Sequence, residues 1–305
     1  MANISGISDK IQVLKEVTYA DGGVFGEKVF GVTKRFEWRA DTSTQQSYGL
    51  ETTGPGACSN TDGVLQMTGT HEWEFTDGRE LEAILGTCTY TGGKFTLDVA
   101  NSLPSYSVKV VEDSTNYSVI KGIKYSKFSI NLTRGEEPIT ITADWFGKEI
   151  VTTTSFTPTC ATVEPLMYLD GCFAITGTYQ TGIEDFTLEI DRACQPRRFM
   201  EQTSALSRRL ISEIIEGPLA ITYNGNMASK RKVLEEIWGG GSIADVRSDK
   251  TLSLHIGRGS TELDLTITGM RHNTSGRILE KTQEVSLMDF SGVGLDISGT
   301  GTYSA

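Results

Sequence analysis

Histidine and cysteine, the residues behind most nucleophilic and metal chemistry, are scarce: the 305-residue chain has three and five of them. Cys58, Cys88, Cys160, Cys172 and Cys194 are odd in number and scattered without CxxC spacing. That argues against a disulfide framework and against a zinc site, so free thiols are expected. His71, His255 and His272 stand in no G-x-S-x-G or Cys-His context and make no pair at i, i+2 or i, i+4 spacing. A nucleophile triad and a His/Cys metal site therefore lack their parts, and the histidines read as structural or surface residues. No catalytic, cofactor-binding or metal-ligating residue is assigned, and no cofactor is expected.

Basic charge is in deficit too. Lys and Arg number 28 against 39 Asp and Glu, a net charge of -11. Tight duplex binding needs Lys and Arg to release counterions from phosphate, so it is excluded as the main activity. Passage of DNA is not excluded, because an acidic wall repels the polyanion and lets it slide. No apolar run approaches the roughly 18 residues of a membrane span. Met1 to Lys15 has no basic segment followed by an apolar stretch, so folding in the cytoplasm is expected.

What the chain has in abundance is period-two alternation, the mark of strands with one buried face. Phe36, Trp38 and Ala40 follow it, as do Trp73 and Phe75, the run Phe95 to Val99, Phe128 to Leu132, and Ile139 to Trp145. Farther on come Phe186 to Ile190, Leu219 to Tyr223, Leu252 to Ile256, and Leu263 to Ile267. Clusters such as Thr133 to Gly135 and Arg258 to Ser260 separate the runs as hairpin turns. The fold class is mainly β. Two short helices are expected, at Asp77 to Leu85, where Asp77 and Glu80 suit a capping box, and at Ala228 to Trp238; each stops at glycine.

Order and spacing repeat at an offset near 150 residues. Phe36 to Asp41 (FEWRAD) resembles Phe186 to Asp191 (FTLEID), and the helix ends Ile84 to Gly86 and Ile237 to Gly239 are alike. The expected organisation is a first unit over 1–150 with an N-terminal arm, an extended connector over 151–171 containing Pro158 and Pro165, and a second unit over 172–305. The long loops differ. Thr42 to Gly63 is polar and glycine-rich, whereas Phe199 to Ile215 places Leu206, Leu210, Ile211, Ile214 and Ile215 at helical spacing.

Remaining features read as ordinary structure. Gly239 to Ser242 follows the second helix and cannot offer an anion a helix N-terminus. Asp185 with Glu189, and Glu136 with Glu137, are better explained as solvated strand and turn positions than as a glycosidase pair. Arg197, Arg198, Arg208, Arg209 and Lys230 to Lys232 read as a solvated face or as complements to an acidic neighbour. Trp38, Trp73, Phe128 and Trp145 read as core.

Gly122 to Leu132 (GIKYSKFSINL), Gly135 to Asp144 (GEEPITITAD) and Phe146 to Lys148 together resemble the tail tube proteins of long-tailed viruses. The family pattern is a glycine-led strand, a turn with an acidic residue and proline, and a strand ending in a Gly-Lys pair. Glu164 to Asp170 (EPLMYLD) is similar to the segment joining the units in two-repeat members. The resemblance covers about residues 30 to 292; the turn Thr274 to Arg277 departs from it by lacking the Glu-Pro pair.

The resemblance implies two tandem tail-tube-type β-sandwich or barrel units, each with a short flanking α-helix. It implies a non-enzymatic virion protein, assembled in the host cytoplasm, that polymerises as stacked rings into the tail tube through which viral DNA reaches the host. Partners implied are further copies of the chain, in trimeric pseudo-sixfold rings, with tape measure, terminator and baseplate proteins, and DNA only in passage. Rivals are a baseplate or tail-completion protein, the tube of a phage-like injection system, and a carbohydrate-binding β-sandwich module.

Overall fold

The computed structural model describes residues 11–20, 30–47, 59–112, 116–135, 137–153, 164–180, 182–199, 210–228, 249–277 and 287–303. In chain order the strands are β1 Ile11–Lys15, β2 Thr33–Ser47, β3 Ser59–Glu74, β4 Gly86–Thr91, β5 Lys94–Val99, β6 Tyr106–Val111, β7 Tyr117–Thr133, β8 Thr140–Gly147, β9 Glu149–Thr152, β10 Gly171–Ile175, β11 Thr178–Gln180, β12 Ile183–Asp191, β13 Gln195–Arg197, β14 Glu213–Ile215, β15 Ala220–Ala228, β16 Lys250–Arg258, β17 Thr261–Arg277, β18 Leu287–Gly294 and β19 Asp296–Thr302. The runs of alternation fall on these strands, apart from Phe75, Ile139 and Leu219, each one residue beyond a strand end, and the mainly β, sandwich-type fold is as expected.

One antiparallel sheet runs β2–β3–β8–β7–β12–β15–β18–β17. A second layer is built from β1–β6–β7–β9 and from β11–β10–β16–β17–β19–β5–β4. Both layers share β7 and β17, which bend to leave one sheet and enter the other. Glycine makes those bends possible: Gly122 has φ +66° and Gly269 φ +62°, left-handed values that a side chain disfavours. The buried Glu16 carboxylate accepts from Gly122 N at 3.0 Å and so fixes the first bend. Between the layers lies one apolar core, running from Trp73, Tyr125 and Ile141 through Leu188 to Leu254 and Leu265.

The pairing order β2–β3–β8–β7 recurs as β12–β15–β18–β17, and irregularities fall at matching places. β2 slips against β3 between Thr33 and Arg35, and β12 against β15 between Ile183 and Asp185. β7 slips against β8 between Tyr125 and Lys127, and β17 against β18 between His272 and Thr274. Each slip adds a residue to one strand and increases its local bend.

Several expectations are corrected. Asp77 to Leu85 is a 3-10 turn, Gly78–Leu81, followed by one α turn, α1 Glu82–Leu85, ending at Gly86 with φ 109°. Asp77 caps it through Arg79 N at 2.9 Å, but no capping box closes, because Glu80 turns into the core to Trp73 and Thr76. The described ends of the polar segment Thr42 to Gly63 are strand, since β2 and β3 pair out to Ser47 and Ser59 where a loop was expected; residues 48–58 lie outside the described residues. Its Thr-rich residues suit paired extended backbone. Of Phe199 to Ile215, the described part is not helical; β14 pairs with β13, and Ile211 and Ile214 are buried. Of the connector over 151–171, only the ends are described: β9 pairs with β7, and Leu166 is buried and hydrogen-bonded to Phe75 and Ile139, while 154–163 lie outside the described residues. Beyond Ala228, which ends β15, the expected second helix lies outside the described residues.

Candidate assembly surface

Alternation divides the long sheet into two unlike faces. Phe128, Ile130, Ile141, Trp145, Leu188 and Tyr223 point to the core, each at most 1% exposed. The other face is polar and open. It carries Glu37, Asp41, Glu72, Asp144, Asp185, Glu189, Asp191 and Asp289 against Arg35, Arg39, Lys127 and Arg271. Acidic groups thus outnumber basic ones on the surface that the sheet presents to solvent.

Within the chain, two similar half-sheets meet edge to edge. β12 pairs with β7 from Asp185 opposite Thr133 to Asp191 opposite Lys127. On the core side Phe186, Leu188 and Ile190 face Leu132, Ile130 and Phe128, all buried. On the open side Lys127 pairs with Glu189 at 3.1 Å and Thr187 donates to Asn131 Oδ1 at 3.1 Å. Beside this joint, buried Arg192 donates to the carbonyls of Leu85 and Ala100. Lys124 reaches Glu216 at 2.6 Å with both side chains 10% exposed. Burial opposes the charge on Glu216, but hydrogen bonds from Lys124 and Leu103 N outweigh it and hold the carboxyl below its usual range. A second joint, β5 with β19, links the other layer.

The outer edge of β2 contrasts with that joint. Among the described residues β2 pairs only with β3. Its core-side residues are uncovered: Phe36 is half-buried, stacked on Trp145 at 5.4 Å, Trp38 is 39% exposed, and Ala40 is exposed. The expectation that Trp38 is core is thereby corrected, for nothing described lies over the edge that should bury it. On the open side Arg35 pairs with Glu37, and Arg39 with Asp41 at 2.7 Å.

Among the described residues, the scarce reactive side chains do not converge. His71 is buried, bonded to Thr33 at 3.0 Å and Tyr125 at 2.9 Å; burial pushes its pKa down to about 3 and keeps it neutral. His272 contacts Tyr223 at 3.2 Å in the other half-sheet, and His255 meets Asp264 at 2.7 Å on the surface. Cys88, Cys172 and Cys194 are free thiols; burial pushes Cys194 up to about 11. Cys58, Cys160, Glu136, Arg208, Arg209, Lys230 to Lys232 and Gly239 to Ser242 lie outside the described residues. Asp185 and Glu189 sit on the open face of β12, and Arg198 donates to Leu65 O at 3.2 Å. Among the described residues no group of His, Cys, Asp and Glu could hold a metal ion, and no helix is long and apolar enough to cross a membrane.

Sequence reasoning missed the buried Arg192 and Lys124 and the half-buried Glu216, whose partners are 92 or more residues away in sequence for the closest contacts. It also passed over Gly69 and Gly292 as strand glycines, although glycine inside a strand pattern signals a close approach. A Cβ on Gly69 would lie 2.4 Å from the Trp145 ring, and one on Gly292 2.0 Å from the Tyr223 hydroxyl.

Comparison with known families finds a match to the one described as phage tail tube protein, over residues 20–299. No curated protein matches the chain. With nearly its whole length matched, and with a β-rich sandwich fold in which the matched region supplies the sheet and its edges, the chain belongs to the phage tail tube protein family.

Proposed function

We propose that the chain is a two-unit tail tube subunit that forms rings of three, and that these rings stack into the conduit for viral DNA. The units are 1–150 and 172–305, joined by 151–171, and function is carried by interfaces rather than by a reactive site. The observation that carries this reading is the sheet itself: two half-sheets of like pairing order meet edge to edge through β7 and β12, with one face packed and the other open and acidic. Curled into a ring, such a sheet turns its open face to a lumen. An acidic lumen repels phosphate and gives DNA no place to stick.

Stacking is head to tail, a contact that does not close and so yields a filament. The β2–β3 hairpin, extended beyond the sheet to Ser47 and Ser59, is the element suited to clasp the next ring. Tape measure, terminator and baseplate proteins meet the tube at its bore and ends, and assembly takes place in the host cytoplasm. Negative-stain electron microscopy of the purified, concentrated chain tests the reading. Hollow striated tubes with threefold or pseudo-sixfold end views are expected, and monomers that never polymerise would overturn it.

A further inference from the structure

Two strand joints connect the half-sheets and their layers, β7 with β12 and β5 with β19. Strand pairing alone does not fix the angle across such a joint, because neighbouring strands tolerate relative twists from about −10° to −35°. Layers held together only by an apolar core can also slide, since apolar contact is non-directional. Holding one angle needs a directional link from layer to layer, which hydrogen bonds provide.

Arg192 makes that link. It follows β12 directly, its N–H donates to Ser126 O of β7 at 2.8 Å, and it is 4% exposed. From there the guanidinium crosses to the root of the β4–β5 hairpin, donating to Leu85 O at 3.4 Å and to Ala100 O at 2.8 Å. Ala100 N in turn donates to Leu85 O at 2.8 Å, so the arginine grips both ends of the hairpin that carries β5 to β19. A planar group with several donors in fixed directions suits this bridging of two carbonyls.

A second tie stands beside it. Cys194 N donates to Ser126 Oγ at 3.1 Å, and Cys194, Ile211 and Ile214 form a small apolar cluster with Leu103. Lys124 of β7 donates to Glu216 at 2.6 Å and to Ile214 O at 3.2 Å, and Glu216 accepts from Leu103 N at 2.9 Å. The described parts of 192–217 are thus bonded to β7 and to the chain that follows β5. The matching place in the first unit lacks the strut: aligning the strand slips puts Thr42 of β2 where Arg192 stands, and Thr42 is exposed and pairs with Leu65 in its own hairpin.

We infer that Arg192, steadied by the Lys124–Glu216 pair, is a positioning residue for assembly: it locks the angle between the two units, and with it the curvature at which a ring closes. The inference rests on the ring reading above and gives the segment after β12 its role.

Tube diameter tests it, because a residue that only stabilised the fold would not change the size of the tubes that form. Arg192→Met keeps an unbranched side chain and removes its hydrogen bonds, whereas Arg192→Lys keeps the charge with fewer fixed donors. Lys124→Met/Glu216→Gln removes both charges of the second tie together, a change that buried pairs often tolerate in stability. The full chains are assembled at high concentration and their tubes measured by electron microscopy, beside thermal melts of the dispersed chains. The unsubstituted chain should give tubes of one diameter. Arg192→Met should still melt cooperatively but lose the single diameter, giving a broad range and open ribbons, with Arg192→Lys in between and the double variant broadened less. Arg192→Met tubes as uniform and as wide as the unsubstituted ones would overturn the strut and leave the tube reading standing; if that variant fails to fold, the double variant decides by the same comparison. An unsubstituted chain that forms no tubes would overturn both.

Discussion

In the first half-sheet, Gly69 of β3 lies between Trp38 of β2 and Trp145 of β8, and Tyr125 of β7 follows Trp145. In the second, the matching row reads Leu188, Tyr223, Gly292 and His272. The bulky ring and the glycine have changed places: Trp145 lies over Gly69 in one row, and Tyr223 over Gly292 in the other. A polar pair survives the exchange. Tyr125 bonds His71 in the first half-sheet, and Tyr223 meets His272 in the second. A large ring packed over a glycine is thus kept in each row, on exchanged strands, as expected where close packing sets the constraint.

The largest effect should come from breaking that compensation. Trp145→Ala should cost about 3–5 kcal/mol by leaving a cavity in a row built around its ring, read as a shift in the denaturant midpoint. Gly69→Tyr alone should destabilise strongly, because even a Cβ there meets Glu37 O at 2.0 Å and the Trp145 ring at 2.4 Å. Combined with Trp145→Gly, it should recover part of the loss; a double variant no better than the worse single one would show that ring and glycine do not compensate each other.

A second comparison sets Leu188 against Trp38. Leu188→Ala should cost about 2–5 kcal/mol in the dispersed chain, whereas Trp38→Ala, at a half-open edge, should cost less than about 1 kcal/mol. In assembly the ranking reverses: Trp38→Ala should raise the concentration needed for tube formation, measured by light scattering. Tubes forming at the usual concentration would mean that Trp38 stays exposed in them.

The smallest effect concerns protonation, where the half-sheets also differ. Burial, followed by the nearby Asp77, raises Glu80 from 4.5 to about 8 beside Trp73. The folded chain then holds a proton that the unfolded chain releases, so this contribution to stability is fully present below pH 4.5 and is lost as pH rises toward about 8. His71 works in the opposite sense. Its pKa, depressed by burial from 6.5 to about 3, gives stability that is lost as pH falls below about 6.5. Glu80→Gln should flatten the decline of stability on the alkaline side while leaving the acid side in place, as followed by thermal melts across pH.

Much of the fold was legible because alternation is a local signal. Phe128 to Leu132, Ile139 to Trp145 and Phe186 to Ile190 announce strands through residues two apart, and the turn at Gly259 announces itself through a glycine with φ 65°. The capping box failed for a reason the spacing cannot carry: Glu80 finds Trp73 Nε1 at 2.6 Å inside the core, a better-shielded partner than a helix terminus. The run Leu210 to Ile215 fits helical spacing, yet Ile214 sits in a strand whose partner is Pro196. Tertiary burial outweighs so weak a periodic cue.

By itself, the sequence determined the mainly β class, the inward or outward face of most strand residues, the acidic balance and the family pattern, since each follows from residue type and near-neighbour spacing. Tertiary structure alone decided which edges meet. Alternation says which side of a strand is buried but is silent about what lies beyond its edge, and Trp38 and Leu188 occupy the same place in that pattern. Only the pairing of β12 with β7, across more than fifty residues of chain at every opposed pair, makes one of them core and leaves the other open.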